Sequence, residues 1–428
     1  MLIYLLFLIL ITVFIKNFKR GIIVYAPFKF MFSHGIPSHI GKFELDAFFT
    51  LCLFLLWLLR NNDSLGKNPL RRSLVIMFVA SFIYACNPQF AIITLVDSLS
   101  PFLYFIMFFD AIKNEADLKL FIKVICGYVL LLNGNAICEL AGNNIIGNQL
   151  LTIMYPKTYW AVDAGTRGLF IRLHSFVPHS IGYGVENMVL FSFFLMLYVY
   201  GQNLLKKKKS MFYMGVCLLG IFLSGSRSPL LGGVVILLPL IANRKMFNAQ
   251  NFAFVVIASV VIVYFGGAYL STMFDSLTTD SNTDIGGASS WDMRLGQLEY
   301  SVYFWMQNFW FGNGHNFDIF QGGKMYSQIF GAESVWFPIM MKQGLVGMVA
   351  YLYITIDACF CAIKVDKKAI CLCLMLGWLI IDSATNLPGL SILLPLYFYT
   401  VYYKWNNLLK SKNYDFNNNT NLQGRAIP

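Results

Sequence analysis

The sequence predicts an all-α polytopic membrane protein, and three observations carry that prediction. Only 12% of its 428 residues are charged and 57% are hydrophobic, with a mean hydropathy of +0.62. Soluble domains carry roughly a quarter of their residues as Asp, Glu, Lys and Arg, so half that share is too little to coat a water-facing surface. The apolar residues fall in long continuous runs, near the ~20 residues that a membrane helix needs, not in the short alternating segments of a membrane barrel. The basic residues gather in alternate short loops, as they do beside the cytoplasmic ends of membrane helices. Together these exclude a soluble enzyme, a disordered chain and a nucleic-acid binder built on a basic face, and they make membrane lipids the surroundings.

In chain order, apolar segments lie near 2–15, 21–33, 46–59, 74–86, 90–112, 118–138, 179–200, 211–223, 229–242, 251–270, 334–362, 369–384 and 389–403. That makes about 12–13 transmembrane helices. The run Met1–Ile15 lacks a basic leader and a small-residue cleavage site, so it reads as a retained anchor. Segment 21–33 carries Pro27 and Lys29 and is equally open to a re-entrant or interfacial reading. The chain divides into N-terminal helices over 1–138, a loop over 139–178, helices over 179–270, a large loop over 271–333, helices over 334–403 and a tail over 404–428. The nine cysteines fall within or at the ends of apolar stretches without metal-site spacing, and read as small bundle- or lipid-facing residues. The internal repeat of many transporters is not visible.

The formal net charge of +11 splits in two. Twenty-three of the 32 basic residues, including Lys16, Lys19, Arg20, Arg60, Arg71, Arg72, Lys113 and the run Lys206 to Lys209, belong to one set of alternate loops. That face should be cytoplasmic. Lys29, Lys42, Lys157, Arg167, Arg172, Arg227, Arg294, Lys324 and Lys342 fall on the other face or at its membrane edge. The same face holds the two long loops, and loops of that length are uncommon without a function.

Four constellations there can carry chemistry. "GTRGLFIRLHSFVPHSIGYG" at 165–184 groups Arg167, Arg172, His174 and His179 just before a span. It reads as an anion-binding lip, since arginine presents a fork of donors suited to phosphate oxygens, or as an interfacial loop with snorkelling arginines. "SGSRSPLLGG" at 224–233 sets Arg227 at a membrane surface, where a helix start beside an arginine suits an anion. The bland alternative is again a turn with a snorkelled arginine. "SSWDMRLGQLEYSVYFWMQNFWFGNGHNFDIF" at 289–320 reads as an amphipathic or interfacial helix from Trp291 to Phe311, with Arg294, Leu298 and Ser301 on one stripe. A turn follows that exposes His315 and Asn316. Its aromatics, Trp305 and Trp310 among them, suit an interfacial belt or stacking platforms for sugars. "GAESVWFPIMMKQGLVG" at 331–347 places Glu333 at the mouth of a span, as a salt-bridge partner or a general base. Asp275, Asp280 and Asp284 lie in a Ser/Thr-rich loop and read as solvated, and no acidic cluster suits a metal.

The order of these parts resembles the O-antigen ligase and O-antigen polymerase (Wzy-type) superfamily. An Arg172 loop with Pro178 precedes a span, and the Ser224–Arg227 turn follows. Then come a long loop with an Arg294 helix, a Gly312/Gly314 turn and a Gly344/Gly347 span. The resemblance covers roughly 165–350. Ligases of this superfamily place a His at the start of that last span for acceptor activation. Glu333–Ser334 stands there instead, which looks more like the polymerases.

The resemblance implies a GT-C-like fold in the bacterial inner membrane, multi-pass, with its site facing the periplasm. It implies inverting, metal-independent glycosyl transfer without a cofactor. The donor would be an undecaprenyl-diphosphate-linked oligosaccharide, and a polysaccharide chain-length regulator is a further expected partner. Arg172, Arg227 and Arg294 are then the diphosphate clamp, and a developing negative charge is what such cations stabilise best. Glu333 is the first candidate base and His315 the second, with His174, His179, Trp305 and Trp310 as sugar or acceptor contacts. A ligase acting on lipid A-core and a lipid-linked glycan flippase are the competing functions. A flippase would want cations deep within its spans.

Overall fold

Helices form wherever an apolar run separates two polar loops. The computed structural model describes residues 11–31, 39–40, 43–60, 68–142, 166–167, 170–177, 179–201, 203–242, 291–317, 334–365, 370–384 and 403–408, with Leu396 and Thr400. In chain order its main helices are α1 (Phe18–Met31), α2 (Leu45–Arg60), α3 (Arg71–Cys86), α4 (Ile92–Ala111), α5 (Glu115–Leu140) and α6 (Ser180–Tyr200). They continue with α7 (Lys207–Leu223), α8 (Arg227–Ala242), α9 (Trp291–Gln307), α10 (Trp336–Val365) and α11 (Ile370–Ala384). Among the described residues, extended structure amounts to two antiparallel pairs of two residues each, β1 (His39–Ile40) with β2 (Phe43–Glu44) and β3 (Thr166–Arg167) with β4 (Phe170–Ile171). The chain is an all-α polytopic membrane protein. Among the described residues four helices are long and apolar enough to cross a membrane: Ile92–Ala111, Glu115–Leu140, Ser180–Val199 and Trp336–Ala358. The expected segments near 2–15, 251–270 and 389–403 lie mostly outside the described residues.

Helix α6 is the hub, with 94% of its spanning window buried inside the protein. Phe121 of α5 meets Phe193 edge-on at 5.8 Å, and Phe194 stacks on Tyr213 of α7 at 4.9 Å. The outward faces are the reverse of a soluble protein's. Leu59, Val79, Phe82, Leu131 and Phe360 are all more than half exposed, a belt that is comfortable only against lipid.

Several polar groups within the bundle pair with one another, as an apolar surround favours. Asn133 Nδ2 donates to Asn187 Oδ1 at 2.9 Å and Tyr183 Oη donates to Asn133 Oδ1 at 2.7 Å. Gly220 of α7 makes room for this network, because a Cβ there would sit 2.5 Å from Asn187 Cγ. Lys29, expected on an outer face, is instead buried in α1. It pairs with Asp46 of α2 and donates to Thr50 and Ser100. The partners explain how a cation is tolerated in segment 21–33, which is helical through Met31 despite Pro27.

The basic loops converge on one end of the bundle. Arg60 lies over the Phe18 ring at 5.1 Å, Lys207 over Tyr198 at 5.7 Å and Lys404 over Phe109 at 4.1 Å. Lys113 pairs with Asp110 at 3.4 Å across the same short turn, where Asn114 and Asp117 close a capping box that opens α5. The described parts of the four constellations lie toward the opposite end, where 172–177 meets Leu223, the 312–315 turn meets Asn87 and Ser334 meets Asp382.

Candidate functional site

The core of the site is a loop laid on a turn. After α5, the chain returns to run 172–177 across the end of the bundle. Leu173 N donates to Leu223 O at 3.0 Å, which draws the loop against the α7–α8 turn. Arg172 Nη2 then donates to Ser226 Oγ at 3.0 Å. Gly225, with φ +60°, lets this happen: a Cβ there would stand 2.9 Å from Arg172 Cγ. The turn is braced from within, since Ser224 Oγ donates to Ile221 O at 2.7 Å and accepts from Ser226 N at 3.2 Å. Gly184 of α6 packs beneath it, where a Cβ would fall 2.6 Å from Ser224 Oγ. Arg172 and the 224–227 turn, far apart in sequence, thus form one unit, with Arg227 opening α8 directly after it. The Arg227 side chain lies outside the described atoms.

The same loop is fastened by Glu139, near the end of α5. Glu139 Oε2 accepts from Ser175 N at 2.7 Å and from His174 N at 3.2 Å, and Oε1 stands 3.3 Å from His174 Nε2. His174 is buried, and its Nδ1 donates to Val177 O at 3.1 Å. Both ring nitrogens have partners, so His174 fastens the loop. His179 is the N-cap of α6, its Nδ1 accepting from Ile181 N at 3.1 Å. Glu139→Ala should cost on the order of 3 kcal/mol, the loss expected when a buried pair is broken. Thermal unfolding in detergent checks it, and an unchanged midpoint would remove Glu139 from this role.

Helix α9 is turned inside out relative to a soluble amphipathic helix. Gln297, Tyr300 and Ser301 face inward, whereas Leu295, Leu298, Tyr303, Met306 and Trp310 face outward. The expected stripe of Arg294, Leu298 and Ser301 is therefore corrected: Leu298 is 42% exposed and Ser301 is 1% exposed. Gln297 and Ser301 are thus polar groups on the inner face, while the outer face mixes these apolar side chains with exposed Glu299 and Gln307. Arg294 lies in the first turn of α9, and its side chain lies outside the described atoms. Trp305 stacks on Phe309 at 4.8 Å and donates Nε1 to Phe309 O at 2.8 Å, while Trp310 is exposed.

After α9 the chain makes a turn over 308–317 that locks into α10. That helix is broken at Gly344, with φ +63° and ψ −156°, where a continuous span was expected. The amides that would have closed its ladder bond elsewhere. Leu345 N donates to Phe309 O at 2.9 Å and Val346 N to Trp310 O at 3.1 Å. In return Asn313 N donates to Met341 O at 2.8 Å and Gly314 N to Lys342 O at 3.0 Å. A broken helix survives at membrane depth only with such replacement partners. Asn87, just after α3, grips the turn from the other side. Its Nδ2 donates to Gly312 O at 2.9 Å and to Phe311 O at 3.2 Å. His315, expected to be exposed, is half-buried with Nδ1 donating to Asn87 O at 2.7 Å; Asn316 is exposed.

Glu333 lies outside the described residues. Its neighbour Ser334 is buried, and Val335 N and Ser334 Oγ both donate to Asp382 O of α11, at 2.9 and 3.1 Å. Helices α8 and α11 cross antiparallel, with Gly232 near Ile381 and Gly377 near Ile236. That register sets Arg227 about one helical turn beyond the level of Asp382. The start of α8, the Arg172 loop and the mouth of α10 therefore share one end of the bundle. Among the described residues no group of three His, Cys, Asp or Glu side chains is placed to hold a metal.

These features define a polytopic membrane protein that sets Arg172 and paired polar groups at one end of a helical bundle. Residues 212–352 match the family model described as O-antigen ligase, a likeness over that segment to the O-antigen ligase/polymerase superfamily. Members of this superfamily are glycosyltransferase-like enzymes. No curated protein matches the chain. The matched segment runs from α7 to the middle of α10, and it contains the 224–227 turn, α9, the 308–317 turn and the break at Gly344.

Proposed function

We propose that this protein is a polymerase of O-antigen or a related surface polysaccharide, joining undecaprenyl-diphosphate-linked repeat units on the periplasmic face of the inner membrane. The observation that carries this reading is the docking of Arg172 on the 224–227 turn inside the family-matched segment. It supports a cationic donor, Arg172, beside this turn, where the reading puts the departing lipid diphosphate. Arg227 and Arg294 complete the clamp. In the reaction the acceptor hydroxyl oxygen attacks the anomeric carbon as its proton passes to a base. The bond from that carbon to the diphosphate oxygen breaks, and the electron pair departs on undecaprenyl diphosphate with inversion. Developing charge on that oxygen meets preorganised cations, often the largest catalytic contribution. Glu333 and His315 are the candidate bases. The polymerase form rests on Glu333–Ser334 at the mouth of α10. The basic loops support a cytoplasmic position for the end opposite the site.

Deletion of the protein tests the reading. Loss of a polymerase leaves single repeat units on lipid A-core or on the carrier. Long chains held only on undecaprenyl diphosphate would mean a ligase, and no repeat units outside would mean a flippase. Arg227→Ala and Arg294→Ala should each abolish long-chain polymer while the protein still reaches the membrane. Arg227→Lys should restore only part, because lysine lacks the bidentate fork. Normal-length chains from either alanine variant would overturn the clamp.

A further inference from the structure

We propose that Asn87 is the positioning residue of His315: it clips the 311–315 turn so that its own carbonyl takes the His315 Nδ1 proton and leaves Nε2 as the proton acceptor. The proposal rests on the glycosyl-transfer reading above, and it selects His315 as the group that takes the hydroxyl proton.

Asn87 closes α3, more than two hundred residues before the turn, yet it holds the turn at both ends. Its side-chain amide donates to the carbonyls of Phe311 and Gly312. Its main-chain oxygen accepts from His315 N at 3.1 Å and from His315 Nδ1 at 2.7 Å. Gly314, with φ +84°, passes so near this oxygen that any Cβ would overlap it. A carbonyl oxygen only accepts, so Nδ1 must carry a proton. A neutral imidazole then has its lone pair on Nε2, and the partner of one nitrogen decides the role of the other. Among the described residues none forms a hydrogen bond with Nε2, and the Tyr84 ring stands edge-on to the imidazole at 6.3 Å. The two amide donations keep the Asn87 carbonyl beneath the ring, because they tie the same residue to the same turn.

The test reads the tautomer and the product separately. The full-length protein, labelled with 15N-histidine in lipid nanodiscs, contains five histidines, and His315→Gln assigns the resonance of interest. His315 should show a protonated Nδ1 and an unprotonated Nε2, and Asn87→Ala should mix the tautomers. Polymer made by a deletion strain carrying each variant should fall at least ~100-fold for His315→Gln, the scale of general-base catalysis, and about ten-fold for Asn87→Ala. The double variant should be no slower than His315→Gln alone. A wild-type His315 protonated at Nε2 overturns the proposal without recourse to any variant. If His315→Gln makes normal polymer while Arg172→Ala makes none, the transfer reading stands and the Asn87–His315 assignment is wrong. If both variants make normal polymer, the transfer reading itself fails and takes the assignment with it.

Discussion

Gly344→Ala should leave no long-chain product and should destabilise the protein by about 3 kcal/mol. Two separate costs add at that position. A left-handed backbone costs an L-residue roughly 1–2 kcal/mol, and φ at Gly344 is +63°. The new Cβ would also lie 2.7 Å from Trp310 C, so the 309–314 strand must move. Such overpacking costs about 1–3 kcal/mol. Movement there shifts His315 and the end of α9 together, because the four exchanged hydrogen bonds tie both to α10. Gly134→Ala is the control, since a Cβ at that helical glycine meets nothing within 4 Å. Thermal unfolding in detergent and the polymer ladder read the two effects. A Gly344→Ala protein as stable and active as Gly134→Ala would show that the break is dispensable.

Arg172→Ala should abolish polymer with little loss of folded protein. The loop is held by Leu173, His174 and Ser175 through backbone bonds, and these do not need the guanidinium. Ser226→Ala should be milder. A hydrogen bond to a charged group contributes about 1.5–3 kcal/mol, which is roughly a 10- to 100-fold loss if all of it is spent on the transition state. In the double variant the serine should matter no further, since its partner is already gone. Additive losses would mean that Ser226 acts through something other than Arg172.

Much of this was legible in the chain. Ten of the apolar runs, those within the described residues, are helices α1 to α8, α10 and α11 within a few residues, because lipid exposure imposes one rule on every segment. The aromatic, Arg-bearing stretch from Trp291 became α9, a helix of 17 residues. What one sequence hides is partnership at a distance. Lys29 read as an outward charge, because nothing local points to Asp46. The stripe on α9 was set one residue off, since polar and apolar faces exchange roles when lipid replaces water. His174 invited a ligand reading, and only the fold shows Glu139 beside it. Asn87 carried no signal beyond an Asn-Pro pair after a span. Its importance comes from where the chain returns much later. The break at Gly344 was also hidden, because a glycine in an apolar run is usually helical, and the bonds that replace the ladder come from another segment.

The segment that matches the family, 212–352, is held at several points by residues outside it. Ser226 takes Arg172, Gly312 and His315 take Asn87, and Ser334 takes Asp382. As a module it is therefore not portable. A chimera that receives this segment from a relative, while keeping its own N-terminal helices, inherits clasp surfaces shaped for another host. Exchange of specificity between such proteins should succeed only when the residues at positions 87, 172 and 382 travel with the graft.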